Sequence, residues 1–273
     1  MKYVGTRQSS EDKNYAVHNI NGIKVGMICY TYETEYAGGK ALNGIPLSSE
    51  AAPLVNSFDY TNLEAFYAEA DAAVKAMKKD GADATMVYIH WGDEYHLSPN
   101  EYQKSIAQKL CDLGVDVIVG GHPHVVQSFD TLTSTNGNKT YCIYSVGNCV
   151  SNQSRNTLSV MNSTHTEDGM IFSVEFEKWN NGDVKISDVN IMPTWVNKNY
   201  LNGNTVYSIV PLDSSLETWN NLGVSNVSST YESYKRTMSV VGEGLNECRK
   251  ALNQPEAVMT FGQSVSSNAT QPS

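Results

Sequence analysis

No run in this sequence approaches the roughly 18 to 20 apolar residues that span a bilayer, so a membrane-spanning helix is excluded. The opening, Met1-Lys-Tyr-Val-Gly-Thr-Arg7, lacks the apolar segment of a secretion signal, so the chain as written is expected to carry neither export signal nor anchor. Cysteine is scarce and odd in number. Cys29, Cys111, Cys142, Cys149 and Cys248 show no CxxC spacing, which argues against a disulfide framework and against a cysteine zinc site. Positive charge is short as well, with 19 Lys and Arg against 29 Asp and Glu for a net charge of -10. Such a chain repels phosphate backbones and anionic lipid, so no nucleic-acid partner is expected. Gly-x-Ser-x-Gly and phosphate-cradling glycine loops are missing too, which weakens serine-hydrolase and nucleotide-binding readings.

What is present is a 273-residue chain, 40% hydrophobic and 18% charged, long enough for a conventional core in one large or two small domains. Asn21-Gly22 between Ala16–Ile20 and Ile23–Tyr30 predicts a tight hairpin, because both turn positions favour positive φ. Thr31 to Tyr60 has no sustained period and reads as a long surface loop. A helix is expected from Asn62 to Lys79, capped by Asp59 or Thr61, with Leu63, Phe66, Tyr67, Ala70, Val74 and Met77 at helical spacing. Ala84–His90 reads as a strand. Ser98, Pro99 and Glu101 read as cap, first helical residue and capping-box partner of a helix ending at Gly114. Val115–Val119 and Tyr141–Val146 read as further strands, separated by a polar, turn-rich loop. This alternation predicts an α/β fold, a mixed sheet with flanking helices. Met170–Trp179 and Val184–Met192 look like an appended hairpin. Beyond residue 195 the chain turns Asn- and Ser-rich, and 196–273 reads as an extension with one helix, Ser229–Leu252, and a tail from Pro255.

The histidines cluster. His90 ends one strand, and His122 and His124 follow another in Gly120-Gly-His-Pro-His124. In an open α/β sheet the productive crevice lies beyond the carboxyl ends of the strands, and both groups occupy such ends. Pro123 favours an extended His122, and in extended chain residues i and i+2 face the same side. The two glycines would leave room for a ligand. Neutral imidazoles suit zinc, manganese or iron, and Glu94 can complete a shell, so His90, His122 and His124 are candidate ligands of a divalent metal. The alternative is that these rings hydrogen-bond backbone at strand ends. Asn148, after Gly147 at another strand end, can bind an anionic oxygen or orient a histidine; its alternative is a plain turn. Gln127 and Arg155 are weaker candidates of the same kind. Trp91 and Tyr95 read as packing residues, His18 and His165 as surface residues, and His96 as an exposed residue or a neighbour of the site.

His90-Trp-Gly-Asp-Glu-Tyr95, Gly114-Val-Asp-Val-Ile-Val-Gly-Gly-His-Pro-His-Val-Val-Gln127 and Ile143-Tyr-Ser-Val-Gly-Asn148, in this order and separation, resemble the CapA (PgsA) family of poly-γ-glutamate capsule biosynthesis. The resemblance covers about residues 1 to 195. It implies a relative of the calcineurin-like metallophosphoesterases, a sandwich with a metal centre at the strand ends. His90, His122 and His124 would then stand where late histidine ligands stand, with Glu94 and Asn148 at nearby motif positions. It also implies display outside the cell, on an anchor this chain does not show. The family's Gly-Asp motif, acidic residue and Asn-Asn-His segment do not appear before Gly22, so the chain resembles the C-terminal half of the family domain. An unpaired sheet edge, and with it a homodimer, would follow. One expected activity is metal-dependent hydrolysis, with Glu94 or His122 handling a proton and Asn148 and Gln127 contacting substrate. The alternatives are a non-catalytic component that binds an anionic envelope polymer or its synthesis complex, and an inactive fragment.

Overall fold

The computed structural model describes residues 3–213 and 216–256. The Asn21-Gly22 turn forms as expected: both residues have positive φ, 50° and 90°, and β1 (Ala16–Ile20) returns antiparallel on β2 (Ile23–Tyr32) with Ile20 opposite Ile23. The stretch after Thr31, expected as one long loop, is partly drawn into pairing. It holds a small hairpin of β3 (Ala41–Leu42) and β4 (Ile45–Pro46), then β5 (Ser57–Phe58), which lies parallel on the end of β2. That pairing extends β2 far enough to make Tyr32 a strand-end residue.

The first helix, α1 (Leu63–Lys79), buries Phe66, Ala70, Ala73, Val74 and Met77. Its cap position is Asn62; Asp59 instead accepts the Thr61 N–H (2.7 Å) in a turn. After β6 (Ala84–His90), α2 (Glu101–Asp112) begins two residues later than expected. Asn100 replaces Ser98 as the cap. Its Oδ1 accepts from the Gln103 N–H (2.9 Å), and Gln103 Oε1 accepts from the Asn100 N–H (3.0 Å). Asn caps as well as Ser, and Gln at the third helical position closes the box that Glu101 was expected to close. Glu101 faces solvent and pairs with Lys104.

β7 (Val117–Gly121), β8 (Phe129–Thr133) and β9 (Lys139–Ile143) complete the main sheet, in the order β1-β2-β6-β7-β9-β8 with β5 on the end of β2. β2, β6, β7 and β9 are parallel; β1 and β8 run antiparallel at the two ends. β8 lies in the segment expected to be a polar loop. The sheet is mixed, as the alternation of helix and strand predicts.

One face of this sheet buries Ile28, Tyr30, Val87, Ile89 and Ile118 under α1 and α2, which contribute Phe66, Met77, Ile106 and Leu110. The other face meets an antiparallel sheet of β10 (Asp168–Lys178), β11 (Val184–Leu201) and β12 (Asn204–Pro211). The appended hairpin exists, but β11 continues well past Met192. β12 folds back on it through Asn202-Gly203, both at positive φ, in a stretch expected to be irregular. The division expected at residue 195 falls inside β11. A short α3 (Leu216–Asn221) precedes α4 (Val227–Ala251), the helix expected near Ser229–Leu252. α4 closes a second core in which Val126, Phe129 and Ile143 of the main sheet meet Met170, Val189 and Ile191 of the second sheet and Val241, Leu245 and Cys248 of the helix. Beyond Glu256 the expected tail lies outside the described residues. Among those residues no helix is long and apolar enough to cross a membrane.

Candidate functional site: an imidazole cluster at the strand ends

Four parallel strands deliver their carboxyl ends to one edge of the main sheet. β2 ends at Tyr32, β6 at His90, β7 one residue before His122, and β9 five residues before Asn148. Neighbouring strands place His90 opposite Gly121. The His90 and His122 rings have centroids 4.6 Å apart, and those of His122 and His124 are 6.1 Å apart. The three histidines expected to converge do so.

They converge by a different backbone route from the one expected. His122 and His124 have φ of 103° and 60°, so the Gly-His-Pro-His segment is not extended. Pro123 constrains its neighbours, but the left-handed backbone on either side turns the rings. The adjoining glycines do not hold space for a ligand either. A Cβ on Gly120 would run into the Tyr144 carbonyl and Trp91, and one on Gly121 would lie 2.6 Å from the Tyr88 hydroxyl oxygen. Eight non-glycine residues among those described have positive φ. Five are Asn, and the other three are Tyr95, His122 and His124, all at this site. Non-Asn side chains in such backbone cost of order 1–3 kcal/mol each and persist where surrounding structure over-determines them.

Asn148 is the hub of the cluster. Its Nδ2 donates to the carbonyls of His124 (3.2 Å) and Thr166 (2.9 Å) and to Gln153 Oε1 (3.2 Å), all of them acceptors. The amide orientation is thereby determined, and its Oδ1 faces His124 Nδ1 at 3.0 Å. Nδ1 therefore carries a proton, and His124 Nε2 points outward, 3.8 Å from Glu94 Oε1. Of the two roles expected for Asn148, the structure shows the orienting one. Tyr95 stacks on His124 at 5.9 Å and is tied to Gln153 through its hydroxyl (3.3 Å). It belongs to the site, whereas Trp91 is fully buried and donates to the Tyr144 carbonyl as a packing residue.

Tyr32 and Gln153 were not singled out from sequence. The Tyr32 hydroxyl lies 3.2 Å from His122 Nε2, and its ring stacks on His90 at 5.9 Å. Recognising that β2 runs on to Tyr32 would have found it by the same strand-end rule that found the histidines. Gln127 is brought near but turned inward. It is 0% exposed, its Nε2 donates to the carbonyls of His96 (2.8 Å) and Ser98 (3.2 Å), and its Oε1 accepts from Gln103 (2.8 Å). It braces the 96–98 loop on α2 and has no surface to offer a substrate. Arg155 is spent on Glu167. His96 is exposed, with Nδ1 on the Glu94 carbonyl, whereas His165, expected on the surface, is half-buried 3.9 Å from Asp168.

Burial is the main influence on the ring ionisations. It lowers the His90 pKa to about 4, with His122 and His124 adding like-charge repulsion, and it lowers that of His122 in the same way. Both rings are neutral at pH 7 and keep a lone pair, the form in which imidazole binds a metal. Burial, followed by Glu94 and Asp93, raises the Tyr32 pKa, so its hydroxyl keeps its proton. The donor types suit zinc, manganese or iron, but the set is open. Among the described residues no three His, Cys, Asp or Glu side chains stand close enough to close around one ion.

In the metal-free chain the depressed His90 pKa has a stability consequence. As pH falls from 6.5 towards 4, the unfolded state takes up this proton before the folded state does, so stability should fall across that window. Urea unfolding at stepped pH checks this, with the slope shallower in His90→Gln; equal slopes in parent and variant would remove His90 as the cause.

The family model for the bacterial capsule synthesis protein PGA_cap matches residues 1–153. The capsule biosynthesis protein CapA of Bacillus anthracis is 34% identical over 154 residues, 56% of this chain and 33% of that protein. The PGA biosynthesis protein CapA of Bacillus subtilis (strain 168) is 31% identical over 140 residues, 50% of this chain and 33% of that protein. The chain thus spans about a third of the length of these curated relatives. The family match includes the whole imidazole cluster and stops short of the second sheet and α4.

Proposed function

From the premise that the chain belongs to the bacterial capsule synthesis protein PGA_cap family, we propose that it acts in the biosynthesis of a poly-γ-glutamate-type capsule or envelope polymer, with the imidazole cluster as a metal-dependent hydrolytic site. The observation that carries the reading is the convergence of His90, His122 and His124 at neighbouring strand ends, with His124 held in one tautomer by Asn148. The family and the relatives' names support the polymer part; the imidazoles support the metal part.

His90, His122 and the outward Nε2 of His124 are the groups that would contribute to holding a divalent ion, with further donors needed to close a set that is open among the described residues. Such an ion supplies polarisation of a phosphoryl or amide oxygen and an acidified water. The chain's own residues do the rest. Asn148 fixes the His124 ring and tautomer. The Tyr32 hydroxyl holds the His122 ring and competes with any ligand for its Nε2. Glu94, half-exposed and 3.8 Å from His124 Nε2, is placed to accept or return a proton at the mouth of the site. The polymer or its synthesis complex is the proposed partner and the cell envelope the proposed location.

Elemental analysis of the purified chain beside His122→Ala/His124→Ala tests the metal part. Stoichiometric metal in the parent and none in the double variant is the expected result, with loss of any hydrolysis by the parent. No metal in either protein overturns it. The second reading, a component that binds polymer without turnover, is favoured by the open ligand set among the described residues. It predicts polymer binding that survives in the double variant.

A further inference from the structure

Beside the imidazole cluster, and built mainly from residues beyond the family match, lies a cleft of about 490 Å³ between the 151–157 loop, β11 and the start of α4. Its base is a bonded unit. Glu167 accepts from Arg155 Nε (3.0 Å) and NH2 (2.9 Å), and Trp195 Nε1 points at the same carboxylate at 3.4 Å. Arg155 is thereby neutralised, and Trp195 contributes ring surface rather than a free donor. One wall is different in kind. Lys198 is exposed and has no carboxylate at ion-pair distance among the described residues. Its Nζ is held by a neutral group, Asn152 Oδ1, at 2.9 Å. That oxygen also accepts from the Tyr207 hydroxyl at 2.6 Å, and the Tyr207 ring lies 5.6 Å from the ammonium. The remaining lining consists chiefly of amide and hydroxyl side chains.

This lining specifies a ligand class. Amide side chains donate and accept together, as the amide groups of a polyamide backbone require. The rings of Trp195 and Tyr207 suit the methylenes between such groups. One ammonium held in place by neutral partners suits a pendant carboxylate. Arg155 is balanced by Glu167 and by Glu232 (3.7 Å), which leaves Lys198 as the cation without an ion-pair partner among the described residues, too little positive charge for a nucleic acid. The cleft also connects to the imidazoles: Gln153 lines it, accepts from Asn148, and bonds to the Tyr95 hydroxyl, whose ring stacks on His124.

We propose that this cleft is a binding subsite for a segment of an acidic polyamide chain, with Lys198 taking a carboxylate and Gln153 marking the end that opens towards His124. The proposal rests on the polymer reading above and adds where the polymer lies.

The test is binding of a labelled poly-γ-glutamate oligomer to the parent chain, to Lys198→Glu and to His122→Ala/His124→Ala, with thermal unfolding of each as a folding control. Lys198 is exposed, so its variant should unfold like the parent. Charge reversal should weaken binding at least tenfold, while the double histidine variant binds within about threefold of the parent. Binding by the parent with equal affinity for Lys198→Glu would overturn the subsite and leave the polymer reading standing. No binding by the parent would remove both. Equal competition by an uncharged oligosaccharide would overturn the ligand class.

Discussion

Arg236→Ala should cost about 3–5 kcal/mol of folding stability, because it strands a buried carboxylate. Asp168 is 1% exposed and opens β10. Arg236, on α4, grips it with Nε on Oδ2 (2.7 Å) and NH2 on Oδ1 (2.6 Å), and Ser233, one turn earlier, donates to Oδ1 at 2.6 Å. Burial pushes the Asp168 pKa up to about 6 even with Arg236 opposing it, which shows how unfavourable the bare charge would be there. Urea unfolding of the variant measures the loss. Arg236→Met/Asp168→Leu should lie closer to the parent than the single variant does, since a buried pair exchanged for apolar side chains of similar volume is often nearly neutral. A loss under about 1 kcal/mol for Arg236→Ala would show that the helix is held by its apolar stripe alone. The pair also bears on the site. The Asp168 carbonyl accepts the Asn148 N–H (3.2 Å), and the Thr166 carbonyl accepts its Nδ2, so the helix beyond the family match anchors the strand that seats the His124 partner.

Gly120→Ala should be damaging on a similar scale, for a steric reason. The added Cβ would overlap the Tyr144 carbonyl oxygen and stand 2.6 Å from its carbon and 2.5 Å from Trp91 Nε1. Neither neighbour can yield. The oxygen belongs to backbone beside β9 and already accepts the Trp91 N–H at 2.9 Å, and Trp91 is fully buried. Overpacking of this kind costs about 3 kcal/mol or more. At this chain length that is a fall in Tm of roughly 6–12 °C. Gly137→Ala is the matched control. Its Cβ would meet nothing within 4 Å, but φ is +83°, so only the left-handed backbone penalty of about 1–2 kcal/mol is expected. Equal melting temperatures for the two variants would show that the sheet relaxes around residue 120.

The parts of the fold legible in sequence are those set by local rules. Asn21-Gly22 imposes its turn, the apolar spacing of Phe66 to Met77 imposes α1, and alternation of helix and strand brings His90 and His122 to one edge. Features set by distant partners were not legible. β12 and the far half of β11 read as irregular because Asn, Tyr and Ser alternate there without a clear apolar face. Their pairing is stabilised by each other and by packing of Trp195, Val210 and Leu212 with Trp219 of α3. Gln127 resembled a site residue because it follows the histidines. What turns it inward is Gln103, whose place under Gly92 no spacing rule foretells. Asp168 and Arg236 stand 68 positions apart, each unremarkable alone.

The positive φ of Tyr95, His122 and His124 bears on how this molecule would respond to selection for heat resistance. Three residues that bring their rings together do so on backbone that glycine or asparagine would occupy at lower energy. Exchanges at those positions would therefore be among the readiest ways to gain melting temperature, and each would remove a ring from the cluster. Robustness and the proposed chemistry draw on the same three peptide units. A thermostable descendant that keeps all three side chains must have found its gain elsewhere in the fold.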